Sequence, residues 1–442
     1  MNTSGETSAG QPFGVAAAGH GKARGRGRGA APQDPRCRAC GRALALSVLD
    51  LGYAPVASTL LPASDPPVPD TRFPLHLRVC EGCWLAQTDA AAAPADVFTH
   101  AYHDHSPVSG ARVTGARQLA DRMRAEFGLG PASLAVGIGS NDGYLLRWLA
   151  GAGVPVLGIE PSARAGLIAA QRGVPSLRAF FDESLGLRLA RDGRRPALVA
   201  ALNVLSQVPD PAGFLRGVAA LLTGEAVLIA EFPHLLAVLR GGHFDMIHHK
   251  HCTLLSLIAA EGLFAAAGLR VFAAEECPAH GGGLRVFACL AGAARPEAPG
   301  VARLRDAERA AGLDRPDIYR GFRARAEETR AGLMDFLTQA QDAGRLVAAY
   351  GASARGNTLL NWCAVAPDLV ACCADRNPAK AGSLLPGSRI PVVSPGHLRA
   401  RRPDYILILP WNLRDEIIGE LSDLRARGTQ FVTAVPDLSI VA

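Results

Sequence analysis

Short apolar runs alternate with helix-length segments over most of this chain. One apolar run begins at Leu134 and ends in a glycine-rich turn, a helix-like segment follows from about Tyr144, and a second apolar run closes on Glu160. This order predicts a βαβ unit of the nucleotide-binding type. The alternation continues with a strand at 196–202, a helix at 211–222 and a strand at 226–232. We therefore predict a doubly wound, Rossmann-like α/β sheet in the centre of the chain.

The same pattern returns near the carboxyl terminus. Apolar runs at 346–350 and 369–375 flank a turn, and another strand-to-helix step begins at Tyr405. A stretch rich in Gly, Ala and Pro at 291–300 separates this second Rossmann-like unit from the central one. We expect four parts: a disordered tail at 1–35, a small module at 36–90, a central domain at 91–295 and a C-terminal domain at 296–442.

Composition and charge narrow the class of protein. A chain of 442 residues, 49% of them hydrophobic, is long enough for two or three folded domains. The net charge of +6 is modest and the basic residues are scattered, so we expect no nucleic-acid partner. Glycine or charged residues interrupt the longest apolar stretches, at 218–232 and 254–269, so we expect no membrane span. The first residues lack the pattern of a secretion signal, and we expect a cytoplasmic monomer.

The first 35 residues are rich in Gly, Ala and Ser and contain the run G-K-A-R-G-R-G-R-G. Such a segment buries too little apolar surface to offset the entropy of ordering it, which predicts disorder. Weak RNA binding is the alternative.

Two closely spaced cysteine pairs follow the tail. Cys37 and Cys40 form one C-x-x-C turn, and Cys80 and Cys83 form another. Two such turns supply the four thiolates of a tetrahedral zinc site, and a site filled by four sulfurs leaves no position open for a substrate. We therefore predict structural Zn²⁺, with a redox dithiol or uncoordinated cysteines as alternatives.

The glycine turn of the central unit predicts a nucleotide-like ligand. Counted from Gly137, the sixth position of the dinucleotide fingerprint is Asp142 and not glycine, which disfavours NAD. An S-adenosylmethionine site needs a glycine turn, an acid in that turn for the ammonium group, and an acid at the end of strand two for the ribose hydroxyls. Another nucleotide or a plain sheet turn are the alternatives. The cofactor-binding candidates are Gly137, Gly139, Asn141, Asp142, Glu160 and Asn203.

The largest group of neighbouring side chains that can exchange protons lies in the run F-D-M-I-H-H-K-H-C at 244–252. In a strand, His249 and His251 would share one face, and His248 and Lys250 the other. An acid/base cluster is the favoured interpretation, with a metal site or a wet surface loop as alternatives. From the polar stretch at 98–106 we retain Tyr102. The catalytic candidates are His251, His249, His248, Lys250 and Tyr102.

Substrate contacts are expected where strands end. In a doubly wound sheet, ligands bind outside the carboxyl ends of the strands, which predicts that residues 203–210 face the cofactor or substrate. In the second unit Asn357 follows Gly356, so the turn is not a P-loop, but a helix N-terminus with Ser353 and Arg355 nearby suits a phosphate. The substrate-binding candidates are Gln207, His280, Arg285, Ser353, Arg355 and Asn357.

With these motifs in order, the chain resembles the three-domain sugar C-methyltransferases of deoxysugar biosynthesis from about Arg36 to Val441. The shared motifs are C-x-x-C twice, I-G-S-N-D-G-Y-L-L, G-I-E-P-S, N-V-L-x-x-V-P-D, E-F-P, F-D-x-I-x-H-x-H, H-G-G-x-L-R-V, Y-G-A-x-A-x-G-N-T-L-L-N, D-R-N-P-A-K and W-N. The resemblance implies a zinc module, a central S-adenosylmethionine domain and a C-terminal domain that closes over a dTDP-4-keto-deoxysugar. It also implies that a base, His251 here, removes the C3 proton beside the C4 ketone, after which the enolate carbon accepts the methyl group.

The chain departs from the family pattern at four places. Gly137 stands where a Glu is common, and Ser353 where a Pro is common. Family members usually carry Tyr-His-Glu-His at 248–251 and Asn-Val-Leu-Ala-His at 203–207. Lys250 or His248 can stabilise the negative charge of an enolate oxygen where a carboxylate could not. An O- or N-methyltransferase on the same scaffold is one alternative, and a sugar-nucleotide binding protein without methyl transfer is another.

Overall fold

The computed structural model describes residues 35–64, 69–89, 92, 97 and 110–441. The predicted tail, apart from Pro35, and the candidate Tyr102 lie outside the described residues. Within the described part, the strands form sheets of four, seven and six strands and one two-stranded ladder.

The N-terminal module is antiparallel. Strands β1 and β3 pair with Leu46 opposite Val79, and the buried Leu75, Leu77 and Val79 place one face of β3 in the core. Its strands are β1 (Leu46–Pro55), β2 (Leu61–Pro62), β3 (Arg72–Val79) and β4 (Ala86–Thr88).

A seven-stranded sheet forms the centre of the molecule, in the order β11-β12-β9-β8-β5-β6-β7. Its strands are β5 (Ala135–Ile138), β6 (Val156–Ile159), β7 (Ser176–Leu177), β8 (Leu198–Leu202), β9 (Val227–Pro233), β11 (Leu269–Cys277) and β12 (Gly283–Leu290), while β10 (Thr253–Leu254) pairs with β4 of the N-terminal module. The strands from β9 to β7 are parallel, and the β11–β12 hairpin is antiparallel. The doubly wound central sheet predicted from the sequence is confirmed.

The helices of the central part flank this sheet. Ser162, Asp182 and Asp210 each cap a helix by accepting a backbone N–H with the side chain, which explains where these helices begin. The first of the central helices after the glycine turn begins at Leu146, two residues later than predicted. The helices are α1 (Gly110–Glu126), α2 (Leu146–Gly151), α3 (Ala163–Gln171), α4 (Glu183–Arg191), α5 (Pro211–Leu221), α6 (Leu235–Arg240) and α7 (Leu257–Ala266).

The C-terminal part contains the second Rossmann-like sheet, in the order β16-β14-β13-β17-β18-β19. All neighbours except the last pair are parallel. The strands are β13 (Val347–Tyr350), β14 (Cys373–Ala374), β15 (Ser383–Leu384), β16 (Val392–Val393), β17 (Tyr405–Ile408), β18 (Gln430–Thr433) and β19 (Ser439–Val441), and β15 pairs with β2. The helices are α8 (Pro299–Ala311), α9 (Asp317–Arg320), α10 (Phe322–Asp342), α11 (Ala354–Trp362), α12 (Pro395–Arg401), α13 (Arg414–Glu420) and α14 (Ser422–Arg425).

The order of strands reverses between β5 and β8 in the central sheet and between β13 and β17 in the C-terminal sheet. Such points open a crevice outside the carboxyl ends of the strands, where ligands bind. Residues that follow these strands, Gly139 and Asn203 in one sheet and Gly351 and Pro410 in the other, line one common cavity.

Among the described residues, no helix is both long and apolar enough to cross a membrane.

Candidate active site

The common cavity has a volume of about 1890 Å³. A pocket for one small ligand typically measures about 300–1,000 Å³, so this cavity has room for a cofactor and a substrate together. Its walls come from the central sheet, from the segment after α6 and from the C-terminal sheet.

A carboxylate holds the glycine turn of the central sheet. Glu160, at the end of β6, accepts the Asn141 N–H at 2.9 Å and the Ser162 N–H at 2.8 Å. Burial raises the pKa of Glu160, while the two N–H groups and the positive charge of Lys250 lower it. Gly139 has φ +61°, and an added Cβ would come within 2.6 Å of the Val204 Cγ2 atom, so the turn requires glycine here.

The same wall contains polar atoms that lack partners. Asn203 lines the cavity with φ +56°, and its Oδ1 is buried with no hydrogen-bond partner among the described residues. A buried polar atom left unpaired is costly, so a ligand that donates a hydrogen bond would be stabilised there. A glycine turn, a strand-end carboxylate and an unpaired acceptor fit S-adenosylmethionine, which carries hydroxyl and ammonium donors.

Two cofactor candidates lie elsewhere. Gly137 is within β5, where an added Cβ would meet the side chain of Leu146 at 2.8 Å, so this glycine allows α2 to pack on the sheet. Asp142 is fully buried and accepts a hydrogen bond from Arg172 Nη1 at 2.6 Å. The sequence did not single out Arg172 as this partner, and Asp142 is not among the residues that line the cavity. The contact of the Asp142 carboxylate with the ammonium group of the cofactor stays a prediction.

The histidine cluster forms a turn and not a strand. The His251 N–H donates to the His248 carbonyl at 2.8 Å, and the rings of these two residues stack with centroids 4.1 Å apart. His248, Lys250 and His251 line the cavity. His249 is directed away, with Nε2 3.3 Å from the Phe73 carbonyl oxygen of β3. The expected alternation of faces is therefore wrong, because a turn brings residues three apart together, and the structure removes His249 from the cavity-lining set.

His251 is arranged as a base. Its Nδ1 lies 2.9 Å from the Met246 carbonyl oxygen, which only accepts hydrogen bonds, so Nδ1 carries the proton and Nε2 retains a lone pair. Burial lowers the pKa of His251 to about 4, with help from the charges of Lys250 and Arg355. Burial also lowers the pKa of His248 well below its usual range. Both rings are therefore neutral at pH 7.

Three substrate candidates of the central part line the cavity: Gln207, His280 and Arg285. Gln207 Nε2 donates to the Asn203 carbonyl. The guanidinium of Arg285 donates to Glu231 at 2.7 Å and to Glu275 at 2.8 Å. Glu231 lines the cavity as well and was not identified from the sequence, although it lies in the E-F-P motif.

The C-terminal candidates differ in position. Ser353 and Arg355 line the cavity, and the Ser353 hydroxyl caps α11 by accepting the Gly356 N–H at 3.2 Å. Arg355 already has a strong partner, because its Nε and Nη2 both donate to the carboxylate of Asp245, and its Nη1 donates to the His280 carbonyl and to Asn412 Oδ1. Asn357 is fully buried, and its Nδ2 donates to the Ala57 carbonyl of the N-terminal module at 3.3 Å. The structure therefore assigns Asn357 to packing between segments and not to the cavity.

The four cysteines of the N-terminal module meet at one point. The Sγ atoms of Cys37, Cys40, Cys80 and Cys83 all lie within 4.8 Å of one another. Zn–S bonds of about 2.3 Å in a tetrahedron separate the sulfurs by about 3.8 Å, so this set fits Zn²⁺. It is also the one cluster of this kind that the described residues contain.

Three protein families match consecutive parts of the chain. The family described as "Putative zinc binding domain" matches residues 37–98, "Methyltransferase domain" matches 117–274, and "C-methyltransferase C-terminal domain" matches 278–436.

Solved structures of methyltransferases resemble the chain weakly. An S-adenosylmethionine-dependent methyltransferase from Clostridium acetobutylicum ATCC 824 has 10% identity and a TM-score of 0.32, covering 40% of this chain and 92% of its own. Magnesium protoporphyrin IX methyltransferase (ChlM) from Synechocystis PCC 6803 has 18% identity and a TM-score of 0.31, and the match covers 42% of this chain and 86% of ChlM. Among curated proteins, C-methyltransferase NovU from Streptomyces niveus is 33% identical over 406 residues, which span 92% of this chain and 96% of NovU.

Proposed function

The chain belongs to the C-methyltransferase family that combines a zinc-binding, a methyltransferase and a C-terminal domain, and from this membership we propose a substrate and a reaction. The protein is an S-adenosylmethionine-dependent methyltransferase. We propose that it methylates C3 of a nucleotide-linked 4-keto-deoxysugar in the biosynthesis of deoxysugars, and that His251 is the base.

The observation that carries this proposal is the state of His251. Carbon next to a ketone becomes nucleophilic only after a proton is removed, so C-methylation needs a base that is unprotonated at neutral pH. His251 lines the cavity, is neutral, and has Nε2 free of the proton because Nδ1 donates to Met246. O- and N-methylation of a good nucleophile place less demand on such a buried imidazole.

The reaction divides among residues of the cavity. His251 Nε2 takes the C3 proton, and the electron pair of the C–H bond moves into the enolate whose oxygen was the C4 ketone. Lys250 and His248 lie on the same turn and supply a positive charge and a ring nitrogen toward the developing oxyanion. S-adenosylmethionine held on the central sheet would supply an electrophilic methyl group to C3, with its methyl–sulfur bond broken and S-adenosylhomocysteine as the leaving product. Closing the site to water keeps the enolate from being reprotonated.

We further propose how the parts of the chain share the ligands. The central domain, at 91–295, holds the cofactor on Gly139, Asn141, Glu160 and Asn203, and the module at 36–90 holds structural zinc. The C-terminal domain, at 296–442, holds the nucleotide near Ser353 at the N-terminus of α11, where backbone N–H groups favour phosphate. Gln207, His280 and Arg285 complete the substrate wall, in a monomeric enzyme.

Replacing Glu160 by alanine is expected to weaken S-adenosylmethionine binding about ten- to a hundredfold, since a charge-assisted hydrogen bond to a ribose hydroxyl contributes roughly 1.5–3 kcal/mol. Titration calorimetry with S-adenosylmethionine measures this. Asp375→Ala is the matched control. Asp375 also accepts two backbone N–H groups at the end of a strand, but that strand is β14 of the C-terminal sheet. Equal affinities of the wild type and Glu160→Ala would reject the proposed cofactor site.

The proposed reaction is tested by incubating the enzyme with S-adenosylmethionine and a panel of nucleotide sugars with and without a 4-keto group. We expect a product heavier by one methyl group only from 4-keto sugars, with the methyl on carbon in tandem mass spectra. A methyl on oxygen or nitrogen would favour the alternative methyltransferases. Tight cofactor binding without turnover on any sugar would favour a sugar-nucleotide binding protein.

A further inference from the structure

The segment that carries the proposed base belongs to neither a helix nor a strand. Residues 247–252 form a turn between the 3₁₀ helix Phe244–Met246 and strand β10. Turns outside regular structure have few internal hydrogen bonds, so their geometry depends on contacts made from elsewhere. In this protein those contacts come from the N-terminal module and from the C-terminal part of the chain.

The first set of contacts meets Asp245, which is 1% exposed. Arg355 Nε donates to Oδ2 at 2.8 Å and Arg355 Nη2 donates to Oδ1 at 3.2 Å. Trp411 Nε1 donates to Oδ2 at 2.9 Å, and the Arg355 guanidinium lies 4.4 Å from the centre of the Trp411 ring. A buried carboxylate is tolerated only when charges and hydrogen bonds satisfy it, so these two donors fix the position of Asp245.

Asp245 is connected to the base through one residue. It lies in the 3₁₀ helix whose last residue, Met246, provides the carbonyl that accepts the His251 Nδ1–H at 2.9 Å. The partner of Nδ1 decides which ring nitrogen carries the proton and how the ring is oriented. A shift of Asp245 would therefore move the carbonyl that keeps Nε2 unprotonated and sets the orientation of the ring.

The second set of contacts comes from the N-terminal module. Thr88 Oγ1 donates to the carbonyl of His251 at 3.0 Å. Arg38 Nη1 donates to the carbonyls of Thr88 at 2.7 Å and Cys252 at 2.9 Å. The backbone of the base is thus tied to β4, while its ring is tied through Met246 to the C-terminal part.

We propose that Arg355, Trp411 and Asp245 on one side and Thr88 and Arg38 on the other are positioning residues for His251, so that the base is assembled by all three folded parts of the chain. This inference rests on the proposed role of His251 as the base. It also gives Arg355 a function different from the phosphate contact expected from the sequence, since the Nε and Nη2 atoms of the guanidinium both donate to Asp245.

The test compares kinetic constants of single variants. A base displaced by about 1 Å loses up to about a hundredfold in rate. Arg355→Met is therefore expected to lower kcat about 10- to 100-fold, and Thr88→Val about 3- to 10-fold. In both variants the KM for the sugar nucleotide is expected to stay within about twofold of wild type. Arg355→Lys, which retains the charge but only one donor position, is expected to recover part of kcat. If KM rises while kcat is unchanged, Arg355 binds the substrate phosphate and the inference is overturned.

A matched control is available for Arg355→Met and another for Thr88→Val. Arg399 also donates to both oxygens of an aspartate, Asp423, and to the Glu420 carbonyl, but this contact joins α12 to α14. Thr329 Oγ1 also donates to a carbonyl, that of Arg325, within α10. Arg399→Met and Thr329→Val are expected to retain wild-type kcat, which separates a general loss of packing from displacement of the base.

A second readout needs no substrate. Nitrogen-15 NMR of histidine-labelled protein distinguishes the two neutral tautomers, and the His251 signals are identified by their loss in His251→Asn. We expect the Nδ1–H form in the wild type and a mixture of tautomers in Arg355→Met. Should Arg355→Met fail to fold, Trp411→Phe removes one hydrogen bond to Asp245 and preserves the ring, and it is expected to shift the tautomers in the same direction.

The outcomes separate this inference from the proposed reaction. If none of the sugar nucleotides is methylated on carbon but the tautomer changes in Arg355→Met, the reaction fails and the positioning network stands. If His251→Asn abolishes C-methylation and both Arg355→Met and Trp411→Phe retain the wild-type tautomer, the network is overturned whatever their kcat.

Discussion

His251→Asn is expected to lower turnover by about 10² to 10⁴, the usual contribution of a positioned general base, and to leave S-adenosylmethionine affinity unchanged. Asparagine can retain a hydrogen bond to the Met246 carbonyl but cannot accept the C3 proton. The proposed cofactor site lies on the earlier strands and does not include this ring. Steady-state kinetics with calorimetry on the same preparation measures both quantities.

Proton exchange isolates the step. With S-adenosylhomocysteine bound, NMR in deuterium oxide is expected to show exchange of the substrate α-proton in the wild type, slower exchange in Lys250→Met, and none in His251→Asn. His249→Asn is the control for His251→Asn, because His249 is near in sequence but its ring is directed at Phe73 in β3. Exchange lost in His249→Asn but retained in His251→Asn would contradict the assignment of the base.

The pH profile gives a further check on His251. Because burial lowers the pKa of His251 to about 4, the unprotonated base persists well below the usual histidine range. We expect the acid limb of kcat/KM to lie near pH 4 to 5 and not near 6.5, wherever the fold itself survives. Burial lowers the pKa of this ring most, and the charges of Lys250 and Arg355 lower it further, while the Met246 carbonyl and Asp245 raise it. The ring of His248 also lies against it, with centroids 4.1 Å apart.

Cys80→Ala is expected to unfold the N-terminal module. Structural zinc contributes on the order of 10 kcal/mol or more to local folding, and a thiolate set reduced to three loses much of it. Cys80 is fully buried, and the turn it begins is held by the Trp84 N–H donating to the Cys80 carbonyl. Elemental analysis is expected to give one zinc per chain for the wild type and much less for the variant, and limited proteolysis to cleave the module first.

Cys363→Ala is the matched control for the zinc prediction, since Cys363 is buried in the C-terminal part and lies outside the cysteine cluster. It is expected to retain one zinc per chain. Wild-type protein with well below one zinc, or Cys80→Ala with a full equivalent, would contradict the prediction. Because Thr88 and Arg38 of this module contact the turn of the base, the loss of zinc is also expected to lower kcat.

Most of the fold could be predicted from local patterns. Apolar runs of strand length bounded by glycine turns placed β5, β6, β8 and β9 within about two residues, and two C-x-x-C pairs located the metal cluster. These signals work because strand burial and metal ligation depend on residues close together in sequence. The cavity at the strand ends followed from the topology of a doubly wound sheet.

The candidate site was predicted less completely, because side-chain direction in turns has no period to exploit. The sequence grouped four consecutive residues at 248–251, but the turn brings His248 against His251 and directs His249 to β3. The F-D pair before the cluster was the available signal for Asp245, yet its partners Arg355 and Trp411 are 110 and 166 residues away.

The sequence by itself therefore determined the two Rossmann-like sheets, the four-cysteine cluster, the glycine turn and the segment that contains the proposed base, since each depends on spacing within a short stretch. Only the tertiary structure decided what each charged side chain does. Asp142 Oδ2 accepts from Arg172, Asn357 donates to the Ala57 carbonyl, and Arg355 donates to Asp245, because burial favours whichever partner the packing brings within hydrogen-bond distance.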